Sequence, residues 1–176
     1  MSHHEKALEM LKKALEIEQK GKIYYEKAIS ECVNEQGKEI FKMLRDDEII
    51  HSERIQQIFD RLTEGKDFGD AWEKMKTSED KLENLFREIA KQNPPKEAAH
   101  KSDLEALNTG AEFEQATVQF YEEHLKIATE PLEKRFVEAM VIEEKAHRQA
   151  LLSMHFYLSD PEGWLMEREK SGLDGA

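Results

Sequence analysis

Two copies of the motif Glu-x-x-His occur in the chain, at Glu48 with His51 and at Glu144 with His147. In a helix, residues three apart lie on the same face, so the carboxylate and the imidazole of each motif can reach one point. Carboxylate and imidazole groups together are suitable ligands for Fe, Mn or Zn. Both motifs interrupt rows of apolar residues that would otherwise form the buried face of a helix. The motifs therefore indicate metal-binding side chains that point into a core.

Two further carboxylates, Glu18 and Glu114, interrupt apolar rows elsewhere in the chain, which gives four carboxylates and two imidazoles in all. A buried and unpaired carboxylate costs several kcal/mol, and carboxylates that lie close together repel one another and take up protons. Two divalent cations would balance the four negative charges. We therefore predict a site for two metal ions. The alternative is that these Glu residues face solvent on a charged helical bundle.

Four segments that could position these residues carry the apolar period of amphipathic helices. The first two segments cover about residues 6–33 and 35–64. The third begins near Ser102, where SDLE resembles a capping box, and the fourth begins at Pro131. The connections within the first pair and within the second pair are short, so each pair should form an antiparallel hairpin. A longer stretch, about residues 65–101, should contain one or two short helices and allow a crossover between the hairpins.

An internal repeat relates the two hairpins. A shift of 96 residues superposes them without a gap and aligns Glu48 with Glu144 and His51 with His147. The same shift aligns EIEQ with EFEQ and one Tyr-Glu pair with another. We therefore expect an all-α bundle with approximate twofold symmetry, in which equivalent side chains face one another.

Composition limits the remaining function classes. A chain of 176 residues that is 36% charged, with 8 Gly and 4 Pro, suits one helical domain. The net charge of −12 disfavours nucleic acid as a partner, and no stretch is apolar over the roughly 18 residues that suggest a membrane span. The single cysteine, Cys32, excludes an internal disulfide framework and a four-cysteine metal site. The N-terminus lacks the apolar core of a signal peptide, so a cytoplasmic location is expected.

These motifs resemble those of the ferritin-like di-iron carboxylate family, in which two helices each supply a Glu and the other two each supply Glu-x-x-His. The stretches IEQKGKIYYEKA and FEQATVQFYEEH further resemble the first and third helices of rubrerythrin-like proteins. The resemblance implies a ferritin-like four-helix bundle over residues 1–158, made of two homologous antiparallel hairpins joined by the long crossover. A C-terminal tail, residues 159–176, would follow the bundle.

The resemblance also implies a role for each polar residue of the core. By position, Glu18 and Glu114 would be the terminal carboxylates, and Glu48 and Glu144 would bridge the two metals. His51 and His147 would each cap one metal. Tyr25 and Tyr121 would lie near the site as hydrogen-bond donors, and the alternative is that they are core aromatics. The implied cofactor is two iron ions per chain, with Mn or Zn as substitutes.

The chain departs from rubrerythrins in two respects. A single cysteine cannot build their rubredoxin-like iron domain, and Thr117 stands where they carry an additional Glu. The resemblance then implies a di-iron oxidoreductase of the peroxidase or oxidase type. It would reduce hydrogen peroxide or dioxygen with electrons from an external donor protein, and it would protect against oxidative stress.

Two other functions stay open at this point. The first is a ferroxidase with Fe(II) as its substrate. Assembly into a hollow shell would favour this function, whereas a dimer would favour detoxification. The second is a helical interaction module without catalysis. We expect a homodimer, and we expect neither nucleic acid nor a membrane as a partner.

Overall fold

The computed structural model describes residues 1–174, and within that range it is entirely helical, with no strand. The six α-helices are α1 (His3–Glu31), α2 (Glu35–Thr63), α3 (Glu79–Ala90), α4 (Lys101–Leu125), α5 (Pro131–Ser159) and α6 (Pro161–Asp174). A 3₁₀ turn, Ala71–Lys74, precedes α3. Among the described helices, none has both the length and the apolar character needed to cross a membrane. The predicted all-α class is confirmed.

The bundle consists of two helical hairpins that face each other. Helix α1 packs along α2, and α4 packs along α5, each pair across a short connection. Contacts of α1 with α4 and of α2 with α5 bring the hairpins together. The long connection between α2 and α4 carries the 3₁₀ turn and α3, in line with the short helices predicted there. This is the pair of antiparallel hairpins, joined by a long crossover, that the short connections and the repeat predicted.

The apolar core is divided into two clusters, one toward each end of the bundle. One cluster includes Phe41 and Leu151, and the other includes Ile58 and Phe136. Residues of the first cluster come late in α1 and α5 but early in α2 and α4, because neighbouring helices run in opposite directions. A layer of buried polar residues lies between the two clusters on all four helices.

The segment after the bundle is packed against it. Residues 161–174 of the predicted tail form α6, and Trp164 of this helix is buried against Phe86 of α3 and Tyr157 of α5. The Trp164 indole N–H donates a hydrogen bond of 3.0 Å to the Ser153 hydroxyl. Helix α6 therefore anchors α3, and with it one end of the crossover, to the bundle.

The capping-box interpretation of SDLE is wrong. Helix α4 begins before Ser102, its N-cap residue is His100, and no side chain caps it. The Asp103 carboxylate accepts hydrogen bonds from the backbone N–H groups of Val33 and Asn34 instead, at 3.0 and 2.8 Å. Asp103 thus satisfies two backbone donors in the α1–α2 connection and ties the second hairpin to the first.

We expect Asp103→Ala to lower the free energy of unfolding by about 2–3 kcal/mol, because two backbone N–H groups lose a charged acceptor. Urea unfolding followed by circular dichroism measures this change. Asp70→Ala is the control, since Asp70 is exposed and its side chain makes no capping bond. That control should stay within about 0.5 kcal/mol of the wild type, and equal losses in the two variants would contradict the role of Asp103.

Candidate metal centre

The six polar residues that interrupt the apolar rows lie together in the layer between the two clusters, and each is at most 2% exposed. They form two groups in which one ligand atom of each side chain lies within 4.8 Å of the others. The first group contains Glu18, Glu48, His51 and Glu144. The second group contains Glu48, Glu114, Glu144 and His147. Two carboxylates belong to both groups, so the groups are adjacent, and each could hold one ion.

Several ligand atoms in this layer have no hydrogen-bond partner among the described residues. They are Glu48 Oε1, Glu114 Oε2, Glu144 Oε1 and Oε2, and His147 Nδ1. Buried polar atoms are nearly always paired, and an unpaired carboxylate in a core is costly. The unpaired atoms are of the types that bind iron, manganese or zinc, and they belong to residues of the two groups. The residues present therefore fit a pair of metal ions.

Without metal, the carboxylates perturb one another's ionisation. Burial and the charges of Glu18 and Glu144 raise the pKa of Glu48. Burial and the charge of Glu144 raise the pKa of Glu114 to about 8. Burial lowers the pKa of His51, but the charges of Glu144 and Glu18 outweigh burial and raise it overall. The metal-free layer thus holds protons where bound cations would otherwise balance the charge.

Two tyrosines form hydrogen bonds with Glu18 and Glu114, the two carboxylates that each belong to a single group. The Tyr121 hydroxyl on α4 donates to Glu18 Oε1 on α1 at 2.6 Å, and the Tyr25 hydroxyl on α1 donates to Glu114 Oε1 on α4. Both tyrosines are fully buried, and burial together with the neighbouring carboxylates raises the pKa of each hydroxyl well above its usual value. The hydroxyls therefore stay protonated and act as donors. Each bond joins the two hairpins across the site.

Two carboxylates that the sequence analysis did not single out hold the outer nitrogens of the imidazoles. Glu143 Oε2 lies 2.8 Å from His51 Nε2, and Asp47 Oδ2 lies 2.9 Å from His147 Nε2. A carboxylate accepts hydrogen bonds, so each Nε2 donates, and each Nδ1 lies 3.1 Å from an oxygen of Glu144. Such pairs fix the orientation of a metal-binding imidazole and increase its basicity.

The crossover supports these two carboxylates. The backbone N–H and the hydroxyl of Ser78 donate to Asp47 at 2.9 and 2.6 Å. The Thr77 hydroxyl lies 3.3 Å from Glu143 Oε1, and Arg54 of α2 donates to Glu143 Oε2 at 2.6 Å. The segment between the hairpins is thus part of the site and does more than connect helices.

The position three residues after each terminal carboxylate differs between the hairpins. A Cβ at Gly21 would lie 2.3 Å from Glu48 Oε2, so Glu48 keeps its place only because residue 21 has no side chain. The repeat aligns Gly21 with Thr117, which is buried and whose hydroxyl donates to the Phe113 carbonyl at 3.1 Å.

The chain matches a known protein family. A sequence model of the family described as Rubrerythrin matches residues 9–155, a range that includes all six residues of the layer. No curated protein and no solved structure matches the chain.

We expect Gly21→Ala to lower the affinity for divalent metal by roughly 10–100-fold, because the methyl group displaces the shared carboxylate of Glu48. The helix itself should not suffer, since Ala is favoured over Gly in helices by about 1 kcal/mol. Calorimetric titration with Mn(II) measures the affinity. Gly172→Ala, where a Cβ meets open space, is the matched control and should bind like the wild type. Unchanged affinity in Gly21→Ala would show that Glu48 is not a ligand.

Proposed function

Because the chain belongs to the rubrerythrin family, we propose that it is a non-haem di-iron oxidoreductase that reduces hydrogen peroxide or dioxygen with electrons from an external donor. The observation that carries this proposal is the buried layer of unpaired carboxylate and imidazole atoms, arranged in two groups that share two carboxylates. An interaction module has no need for such a layer, because each unpaired carboxylate in it destabilises the fold.

We assign the ligands from the composition of the two groups. One iron would be bound by Glu18 and His51, and the other by Glu114 and His147. Glu48 and Glu144 would bridge the two irons, since they alone belong to both groups. Four carboxylates then balance two Fe(II) ions, and the neutral imidazoles complete the set.

The reaction consumes two electrons and two protons for each peroxide reduced to two waters. When two irons are bound at this site, the two electrons would come from them, one from each ion. The chain's own residues hold the geometry: the hydroxyls of Tyr25 and Tyr121 fix the terminal carboxylates, and Asp47 and Glu143 fix the imidazoles. The apolar clusters on either side exclude bulk water from the layer.

The electrons would come from outside the described chain. Cys32 is its single cysteine, and burial and the charge of Asp103 raise the pKa of the thiol to about 11. A thiol that stays protonated is a poor redox group. These 176 residues also cannot supply the four thiolates of a rubredoxin-like iron site.

The iron content of a ligand variant tests the assignment. Wild-type chain loaded with Fe(II) without oxygen and then desalted should keep two irons, one for each ligand group. Glu144→Ala should lose iron from both positions, because it removes a bridge. Glu138→Ala, exposed on the same helix, is the control and should keep both irons. Full iron content in Glu144→Ala would make the ligand assignment wrong.

Stopped-flow mixing of the Fe(II)-loaded chain with hydrogen peroxide, and separately with dioxygen, tests the reaction. We expect the visible absorption of a ferric pair to appear with at least one oxidant and to disappear when an external reductant is added, over repeated cycles. Zn(II)-loaded chain should show neither change, because Zn(II) has no redox chemistry. Oxidation followed by release of ferric iron would favour a ferroxidase, and no oxidation would contradict both activities.

A further inference from the structure

The twofold repeat of the metal layer is broken at one buried position beside it. Arg54 follows His51 by three residues, whereas the repeat places Ala150 at the same distance after His147. The Arg54 side chain is only 3% exposed. A buried cation needs a partner, so the pairing of Arg54 distinguishes the two halves of the site.

Arg54 neutralises the carboxylate behind His51. Its Nη1 and Nη2 atoms donate to the two oxygens of Glu143, at 2.6 and 3.2 Å. The guanidinium is also fixed by a hydrogen bond of 3.1 Å from Nε to the Met75 carbonyl, and it lies 5.8 Å from the centre of the Trp72 ring. His51 therefore donates to a carboxylate whose charge is already shared with a cation.

The carboxylate behind His147 belongs to Asp47, and its surroundings differ from those of Glu143. Asp47 accepts its other hydrogen bonds from the backbone N–H and the hydroxyl of Ser78, both of which are neutral. Within the part of the chain that the structure describes, no lysine or arginine forms an ion pair with Asp47. His147 donates to a carboxylate that is not compensated.

We propose that Arg54 makes the two metal positions unequal. The position at Glu18 and His51, here named the His51 position, is the weaker one. The position at Glu114 and His147, the His147 position, fills first and holds its ion longer. This inference rests on the two-metal centre proposed above.

The physical reason lies in the net charge that each ion faces. An imidazole that donates to a carboxylate without a neighbouring cation is a more basic metal ligand than one whose carboxylate is paired with an arginine. At the His51 position the guanidinium of Arg54 reduces the basicity that Glu143 gives to the imidazole. Its positive charge also repels the bound cation, because the buried surroundings have a low dielectric constant. The two positions therefore differ by one positive charge in their surroundings.

Solvent adds to the difference between the positions. The Glu143 side chain is 21% exposed, whereas that of Asp47 is 2% exposed. Glu143, Arg54 and Thr77 line a surface groove of about 680 Å³. Hydrogen bonds that water can reach open more readily, so the bond that orients His51 is less persistent than the bond that orients His147.

Variants that lack one terminal ligand test the inequality without the repulsion between two bound ions. Metal-free Glu18→Ala and Glu114→Ala chains are each titrated anaerobically with Co(II), by calorimetry and by visible absorption. Glu18→Ala leaves the His147 position, and Glu114→Ala leaves the His51 position. We expect the single ion in Glu114→Ala to bind at least roughly tenfold more weakly. Equal affinities, or the reverse order, would overturn the inference.

Substitution of the arginine tests its part in this difference. In otherwise wild-type chain, Arg54→Gln keeps an N–H donor for Glu143 but removes the charge, and it should tighten the second Co(II) step by roughly tenfold, with a smaller change in the first. Arg54→Lys keeps the charge and should retain the wild-type separation of the steps. Arg61→Gln, which removes an arginine paired with Asp67 at the surface, is the control for net charge.

The outcomes separate this inference from the proposed function. Thermal unfolding by circular dichroism first establishes that each variant is folded. If folded Arg54→Gln leaves the second step unchanged, Arg54 does not set the inequality and the inference is overturned, while the metal centre stands. If wild-type chain binds fewer than two Co(II) ions, the two-metal centre itself is wrong and the inference is overturned with it.

Discussion

Mutual repulsion among four carboxylates buried in one layer is the constraint on which the structure depends. Such a layer is tolerated only if positive charge lies inside it, as protons or as metal ions. The raised pKa values of Glu48 and Glu114 show the first solution, and the unpaired atoms at two adjacent points provide for the second. The fold is arranged around this layer: each hairpin contributes half of the ligand atoms, and an apolar cluster closes each side.

A set of hydrogen bonds outside the layer keeps the ligand atoms in place. The tyrosine hydroxyls hold the outer carboxylates from the opposite hairpin, and Asp47 and Glu143 hold the imidazoles in the same reciprocal way. The repeat therefore extends to these hydrogen bonds, because each hairpin holds the polar side chains of the other in place. Arg54 and Ser78 break this symmetry, since a cation supports one carboxylate and neutral donors support the other.

Much of the fold and the position of the six polar residues could be predicted from the sequence, because both follow from local periods. Apolar spacing defines the helices, and Glu48 with His51 share a face whatever the tertiary structure is. The shift of 96 residues then places the second hairpin in register with the first.

Asp47 and Glu143 were missed, although the same shift aligns them and each directly precedes a motif Glu. Their role needs a contact between helices that the sequence does not specify. The contacts of Thr77, Ser78 and α6 are long-range in the same sense. The capping interpretation of Ser102 failed because α4 already begins at Lys101, so Ser102 lies inside the helix.

The most direct test of the central claim is X-ray diffraction from crystals of the Fe(II)-loaded protein, collected on both sides of the iron absorption edge. The account predicts two anomalous peaks inside the layer. One should be bound by Glu18 and His51 and the other by Glu114 and His147, with Glu48 and Glu144 between them. Iron found at the protein surface, with a layer that remains free of it, would contradict the account.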